Sequence, residues 1–153
     1  MLPVGVRLTR EDRAWANQWN WSVGARGYVM RAAGRGKAIY LHVEIAARHG
    51  VVGPYIDHKD RERLNNRPRN LRAATMRQQQ QNRGLQRQNT SGFKGVHWNG
   101  ERSCFQAHIT TNAGKHTYLG RFPDAKSAAR AYDAAAISEF KEFALTNERL
   151  GLL

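Results

Sequence analysis

Apolar and polar positions alternate most cleanly in the second half of the chain, where Phe105, Ala107 and Ile109 interleave with Gln106, His108 and Thr110. Strict alternation gives a strand one apolar and one polar face, as in a sheet covered on one side only. The pattern predicts strands over Phe93–Trp98, Cys104–Thr110 and His116–Phe122, separated by the turn formers Asn99-Gly100 and Asn112-Ala113-Gly114. Asp124 then caps a helix containing Ala128, Ala129, Ala131, Ala134, Ala135 and Ala136, small side chains that permit close approach to a sheet. A three-stranded antiparallel sheet packed on one helix follows.

The first half is less regular. Thr9 can cap a short helix with Asp12 at its third position. Trp15, Trp19 and Trp21 come next and read as packing residues in preference to a stacking platform for nucleic acid. Gly24 and Gly27 punctuate extended pieces around Trp21–Val23 and Tyr28–Arg31, and Ala38–Tyr40 predicts another strand. Leu41–His49 fits a helix with Leu41, Ile45 and Ala46 on one face. After Gly53-Pro54, Tyr55-Ile56 predicts a strand ending at Asp57-His58. Leu71–Ala73 returns as its partner, and Thr75 caps a helix from Met76 onward.

Between the halves, Arg77–Ser91 carries almost nothing apolar except Leu85. Its Gln-rich start reads as a helix end and Gly84 onward as linker. The expected organisation is a first domain over residues 1–83, a linker over 84–90 and a second domain over 91–153. The class is α+β.

The formal net charge of +13 and pI of about 10.9 narrow the partners. Arg outnumbers Lys, and its planar fork suits phosphate, so nucleic acid is the expected partner. Cys104 is the sole cysteine, which excludes an internal disulfide and a thiolate zinc cluster. The N-terminus, MLPVGVRLTRED, lacks the apolar core of a signal peptide, and no apolar run approaches the roughly 20 residues of a membrane helix. A soluble, cytoplasmic protein is expected, without a membrane partner or a small-molecule substrate.

Asp57-His58 carries the candidate chemistry. Hydrolysing a phosphodiester takes a nucleophilic water, a stabiliser of charge on phosphorus and a proton for the leaving oxygen. One divalent ion supplies the last two. Asp57 offers a hard carboxylate for such an ion, and His58, with an ordinary pKa of about 6.5, can take the water's proton. Neighbours on a strand point to opposite faces, so the pair shares a site only where the strand twists or ends. It ends here, in the Arg-rich loop beginning Lys59-Asp60. Alone, the pair equally fits a turn aspartate beside a surface histidine.

The spaced set Leu41-His42, Asp57-His58, Asn66-Arg67 and Asn70-Leu71-Arg72 resembles the HNH nucleases, in particular their homing-endonuclease branch. The resemblance implies a ββα-metal module that cuts double-stranded DNA with Mg²⁺ or Mn²⁺. It gives Asp57 the metal, His58 the activation of water and Asn70 the bracing of the loop. Asn66 supports the loop, and His42 packs at the helix start or adds a secondary hydrogen bond. Gln79 stands where the family has a second metal-binding asparagine or histidine, and Val43-Glu44 where it often has arginine and an apolar residue. A carboxamide oxygen is an acceptable ligand, but the extra methylene changes its reach. Arg61 and Arg63 are expected to meet phosphates, while Arg67 and Arg72 either do so or brace the loop.

Ser91-Gly92-Phe93-Lys94-Gly95-Val96, Tyr118-Leu119-Gly120-Arg121-Phe122 and Ala128–Ala135, with Phe143-Ala144 and Asn147, resemble the APETALA2-type DNA-binding domain. That family lays its sheet in the major groove, where base pairs are distinguishable. The resemblance puts Lys94, His97, Gln106, His108, Thr110, His116 and Tyr118 towards DNA, with Arg102 and Arg121 on phosphates. Trp98 either stacks at the DNA backbone or packs beneath the sheet. Base preference does not carry over, because His, Gln and Thr replace several of the family's residues on this face.

The expectation is a homing-type nuclease that nicks DNA, monomeric or weakly dimeric, of phage or mobile-element origin. Its alternative is a DNA-binding or regulatory protein disabled at Gln79. An RNA-binding protein would explain the charge alone.

Overall fold

Thr9 Oγ1 accepts the Asp12 backbone N–H at 3.1 Å and so opens α1 (Arg10–Ala16). A computed structural model describes residues 1–34 and 36–153 of the chain, which form two compact units, Met1–Met76 and Arg77–Leu153. In the first unit β1 (Ser22–Val23), β2 (Val29–Ala32) and β3 (Ala38–Tyr40) make an antiparallel sheet in that order. Met30 lies opposite both Ser22 and Tyr40. α2 (Leu41–Arg48) continues directly from β3 and turns Leu41, Ile45 and Ala46 into a core with Val6, Trp21, Val29, Ile56 and Leu71.

The tryptophans pack, as their spacing implied. Trp15 meets Trp19 edge-on with ring centroids 4.9 Å apart, and the Trp21 indole N–H donates to the Ala16 carbonyl at 2.8 Å. Arg31 lies over both Trp19 and Trp21. β4 (Tyr55–His58) and β5 (Leu71–Ala74) then form an antiparallel ribbon, with Asp57 opposite Arg72 and His58 opposite Leu71. A short 3-10 turn at Pro68–Asn70 leads into β5, and α3 (Met76–Gln81) follows it.

From Arg77 onward, α3 belongs to the second unit. Arg77 donates to the carbonyls of Thr111 and Asn112, and Gln81 Nε2 to Asn112 Oδ1 at 2.7 Å. The Lys94 ammonium donates to the carbonyls of Gln81 at 2.6 Å and Arg83 at 2.9 Å. The units therefore divide ahead of the polar stretch at 84–90. Apart from Gln81–Asn112, these anchors run from polar side chains to backbone, so composition does not reveal them.

The second unit's sheet has the order β6 (Val96–Asn99), β7 (Cys104–Thr110) and β8 (His116–Phe122), all antiparallel. β7 and β8 keep the bounds that the alternation predicted, whereas β6 starts at Val96 instead of Phe93. Ser91 Oγ binds the carbonyls of Phe93 and Val96, holding 91–95 as a turn, and Gly95 takes a φ of +75°. A Cβ at Gly95 would overlap the Tyr132 ring. Asp124 accepts the Ser127 N–H at 2.8 Å and caps α4 (Ala125–Phe140), which packs across all three strands. Ala107, Ala128 and Ala129 are fully enclosed at that contact, with Val96, Phe105 and Phe122 around them. The tail is pinned by Asn147, which takes the Lys94 N–H and donates to Asp133.

Among the described residues no helix is long and apolar enough to cross a membrane.

Candidate active site and nucleic-acid face

Asp57 and His58 end β4, and both are enclosed, with 8% and 4% of their surface exposed. Strand geometry sends them to different partners. Asp57 Oδ2 accepts from Arg72 Nε at 3.1 Å and Nη2 at 2.9 Å across the ribbon, the two residues being paired in register. His58 Nε2 lies 3.2 Å from Asn66 Oδ1. Asn66 is wholly buried, and its Nδ2 donates to the Arg63 carbonyl at 3.2 Å, which fixes which end of the amide faces the imidazole. The oxygen can only accept, so neutral His58 carries its proton on Nε2 and leaves Nδ1 as the basic nitrogen.

Burial depresses the His58 pKa most. The Asn66 hydrogen bond and the charges of Asp57 and Asp60 push it back up without cancelling the effect. His42, in the first turn of α2, packs ring to ring on His58 at 5.1 Å and on Tyr28 at 5.1 Å. Its Nδ1 is buried without a hydrogen-bond partner, and burial followed by the neighbouring His58 lowers its pKa to about 3. Two adjoining imidazoles are therefore neutral at physiological pH.

Asn70 holds the loop after β4. Its Oδ1 accepts the Asp60 N–H at 3.1 Å, and its Nδ2 donates to Asp60 Oδ1 and to the Asn65 carbonyl, both at 2.8 Å. Burial raises the Asp60 pKa, but hydrogen bonds from Asn65, Glu62 and Asn70 outweigh it and leave the carboxyl below its ordinary value. Arg61 is exposed with a φ of 66°. Arg63 stacks over Tyr28 at 4.9 Å and donates to the Arg26 carbonyl at 2.7 Å. Gln79 lies half-buried on α3, in the second unit.

Among the described residues no group of three or more His, Cys, Asp or Glu side chains comes together to hold a metal. The hard carboxylate of Asp57 still suits Mg²⁺ or Mn²⁺, since Mg²⁺ typically keeps several waters and takes one or two protein oxygens.

On the second unit, the sheet face away from α4 carries a row of imidazoles. His108 lies 4.7 Å from His97 and 4.9 Å from His116, and Tyr118 adjoins it at 5.2 Å. His97 Nε2 bonds Gln106 Oε1 at 3.0 Å, and His116 Nδ1 bonds Thr110 Oγ1 at 3.3 Å. Arg121 sits opposite Gln106 and is exposed. Arg102 is exposed at the β6–β7 turn, where its N–H bonds Asn99 Oδ1. The Lys94 ammonium meets the carbonyl end of α3. Trp98 shares its register face with Val96 and packs on Phe105 at 4.8 Å, on the α4 side.

Sequence reasoning left Arg72 open between loop and phosphate, and did not assign Tyr28 to the site. The antiparallel register of 55–58 with 71–74 carries the signal for Arg72. Nothing local marks Tyr28, which reaches the site from another sheet.

Comparison with known proteins bears on this geometry. Residues 40–81, which span α2, β4, β5 and α3, match the HNH endonuclease family. Protein 3.8 of Escherichia phage T7 is 34% identical over 88 residues, covering 56% of this chain and 73% of the phage protein. An uncharacterized HNH endonuclease of Acanthamoeba polyphaga mimivirus is 28% identical over 134 residues, covering 86% of this chain and 68% of the viral one. With the matched segment carrying Asp57, His58, Asn66 and Asn70 together, the chain belongs to the HNH endonuclease family, as a relative of the phage T7 protein.

Proposed function

We propose that this chain is a metal-dependent DNA endonuclease of the homing type, which nicks one strand per binding event and uses its second unit to engage the duplex. The observation that carries the reading is His58, held by Asn66 in one tautomer beside the Asp57 carboxylate, within the segment matched to HNH endonucleases.

Water attacks phosphorus, its proton passes to His58 Nδ1, and the phosphorus–oxygen bond opposite breaks. Asn66 keeps the ring oriented through that transfer, and Asn70 fixes the loop that carries Asn65 and Asn66. Asp57 would hold Mg²⁺ or Mn²⁺ from the first unit, and Gln79 stands at the sequence position where the family has its second ligand. When bound there, such an ion would supply neutralisation of charge on the phosphoryl group and on the leaving oxygen. Arg61, exposed in the same loop, would meet phosphate.

The second unit is read as an APETALA2-type domain. His97, Gln106, His108, Thr110, His116 and Tyr118 face the bases, and Arg102 and Arg121 face the backbone. With one hydrolytic site in the chain, a double-strand break takes a second protomer or a second attack.

The test is conversion of supercoiled plasmid to nicked circles with Mg²⁺ or Mn²⁺. Conversion should stop with EDTA and with His58→Ala, while that variant keeps its DNA affinity. Equal nicking by His58→Ala would remove the histidine from the mechanism. One observation favours a second reading, a DNA-binding protein without hydrolysis: Gln79 at the family's ligand position. Under it the wild-type chain binds DNA and leaves plasmid intact, and Gln79→Asn restores nicking.

A further inference from the structure

Tyr28 belongs to two surroundings at once. Its ring packs on His42 at 5.1 Å and His58 at 6.1 Å, and it also lines a pocket of about 220 Å³ with Gly24, Ala25, Arg26, Met30 and Tyr40. Apart from Tyr40, these residues precede the segment matched to HNH endonucleases. The pocket is formed within the hairpin of β1 and β2 and the edge of β3, and the hydrolytic reading of His58 leaves it without a role.

Its walls are specific. Tyr28 and Tyr40 meet edge to face, with centroids 6.1 Å apart and planes at 82°. Gly24 makes room for the thioether: a Cβ there would come 2.7 Å from Met30 Sδ. The turn is closed by Gly24 N–H to the Tyr28 carbonyl at 2.9 Å and Gly27 N–H to the Gly24 carbonyl at 2.8 Å. Arg63, from the loop after His58, stacks on Tyr28 and binds the Arg26 carbonyl, so the pocket and the catalytic loop are fastened to each other. Both arginines are exposed at its rim.

We propose that this pocket receives the nucleobase of a nucleotide adjoining the scissile phosphate, with Tyr40 as its stacking wall, Tyr28 lining its side and Met30 as its floor. The assignment rests on the nuclease reading of His58. Two aromatic rings and a polarizable thioether offer surface to the π-face of any base, and arginines at the rim complement the phosphates on either side. A bare phosphate would gain nothing from the tyrosines. The spacing also fits, because a base lodged beside Tyr28 is one ring removed from the imidazole that takes the water's proton. The pocket is small, so it admits one base and no more, and that base leaves its own stack to enter.

Met30 supplies the probe. The full chain, labelled with ¹³C at its methionine methyls and free of metal, is titrated with thymidine 5′-monophosphate and, separately, with deoxyribose 5-phosphate. The Met30 methyl should shift with the nucleotide and stay still with the sugar phosphate, while Met1 and Met76 stay still with both. Tyr28→Ala should weaken the nucleotide's binding by about tenfold, and Tyr40→Leu, at a more exposed wall, should weaken it in the same direction. An unmoved Met30, an equal response to both ligands, or undiminished binding in both variants would overturn the proposal. The readout needs no hydrolysis. A chain that binds the nucleotide at Met30 but leaves plasmid intact keeps the base pocket and loses the nuclease reading; a chain that nicks with Met30 unmoved does the reverse.

Discussion

At His58 the decisive residue is Asn66, because its amide selects the tautomer without adding charge. Asn66→Asp puts a carboxylate against Nε2–H, which favours the protonated ring and raises the His58 pKa. The acid limb of the nicking pH profile should move up by about one pH unit, with most of the loss seen near pH 6 and little at pH 8. An unmoved limb would show that another group controls the profile. His42 makes a separate prediction about stability. Its folded pKa of about 3 lies below its ordinary 6.5, so the unfolded chain binds the extra proton between those values. Stability is therefore full above pH 6.5 and falls as pH drops towards 3, by about 2 kcal/mol from this residue alone on going from pH 7 to pH 5. His42→Leu removes a buried nitrogen without a partner and should lose about that much less over the same interval, as measured by urea unfolding. An identical pH dependence in variant and wild type would place the titration elsewhere.

Elements show where the sequence was readable. β7 and β8 follow from alternation, α1 and α4 from their caps at Thr9 and Asp124, and β4 from the apolar pair before Asp57. These are local rules acting on local residues. The start of β6 was misplaced because Gly95 answers to Tyr132, far along the chain, and the contacts of Arg77 and Lys94 were hidden because they run to backbone carbonyls. Within the site, Asp57 and His58 were legible as a pair. The Arg72 clasp needed the register, and the Tyr28–His42–His58 packing needed three elements to converge. Gly95→Ala should therefore cost the second unit several kcal/mol, about the scale of an overpacked core combined with an unfavourable φ, read as a lowered unfolding midpoint. Unchanged stability would mean that Tyr132 gives way freely.

Across the whole molecule, chemistry and affinity are expected to separate. The net charge of +13 supplies a salt-sensitive attraction that no single residue dominates. Under the proposed function, specific engagement falls to the face of β6–β8, where Tyr118 and Arg121 stand exposed. Replacing both by alanine should weaken duplex binding by about tenfold or more at physiological salt, and should flatten its salt dependence by roughly one phosphate contact. Nicking should then fall in kcat/KM by the same factor while kcat at saturating DNA holds, because the lost interactions are made equally in the ground and transition states. His58→Ala predicts the mirror image, with kcat abolished and affinity kept. His108, between His97 and His116, adds a pH arm. Burial, then the charges of His97 and His116, depresses the His108 pKa, so His108 gains its charge only as pH falls below the ordinary histidine range. Affinity for duplex DNA, measured in EDTA, should rise across that fall, and His108→Gln should blunt the rise. A kcat that drops with Tyr118 and Arg121 would show that the sheet also shapes the transition state, and the two units would then act as one catalyst.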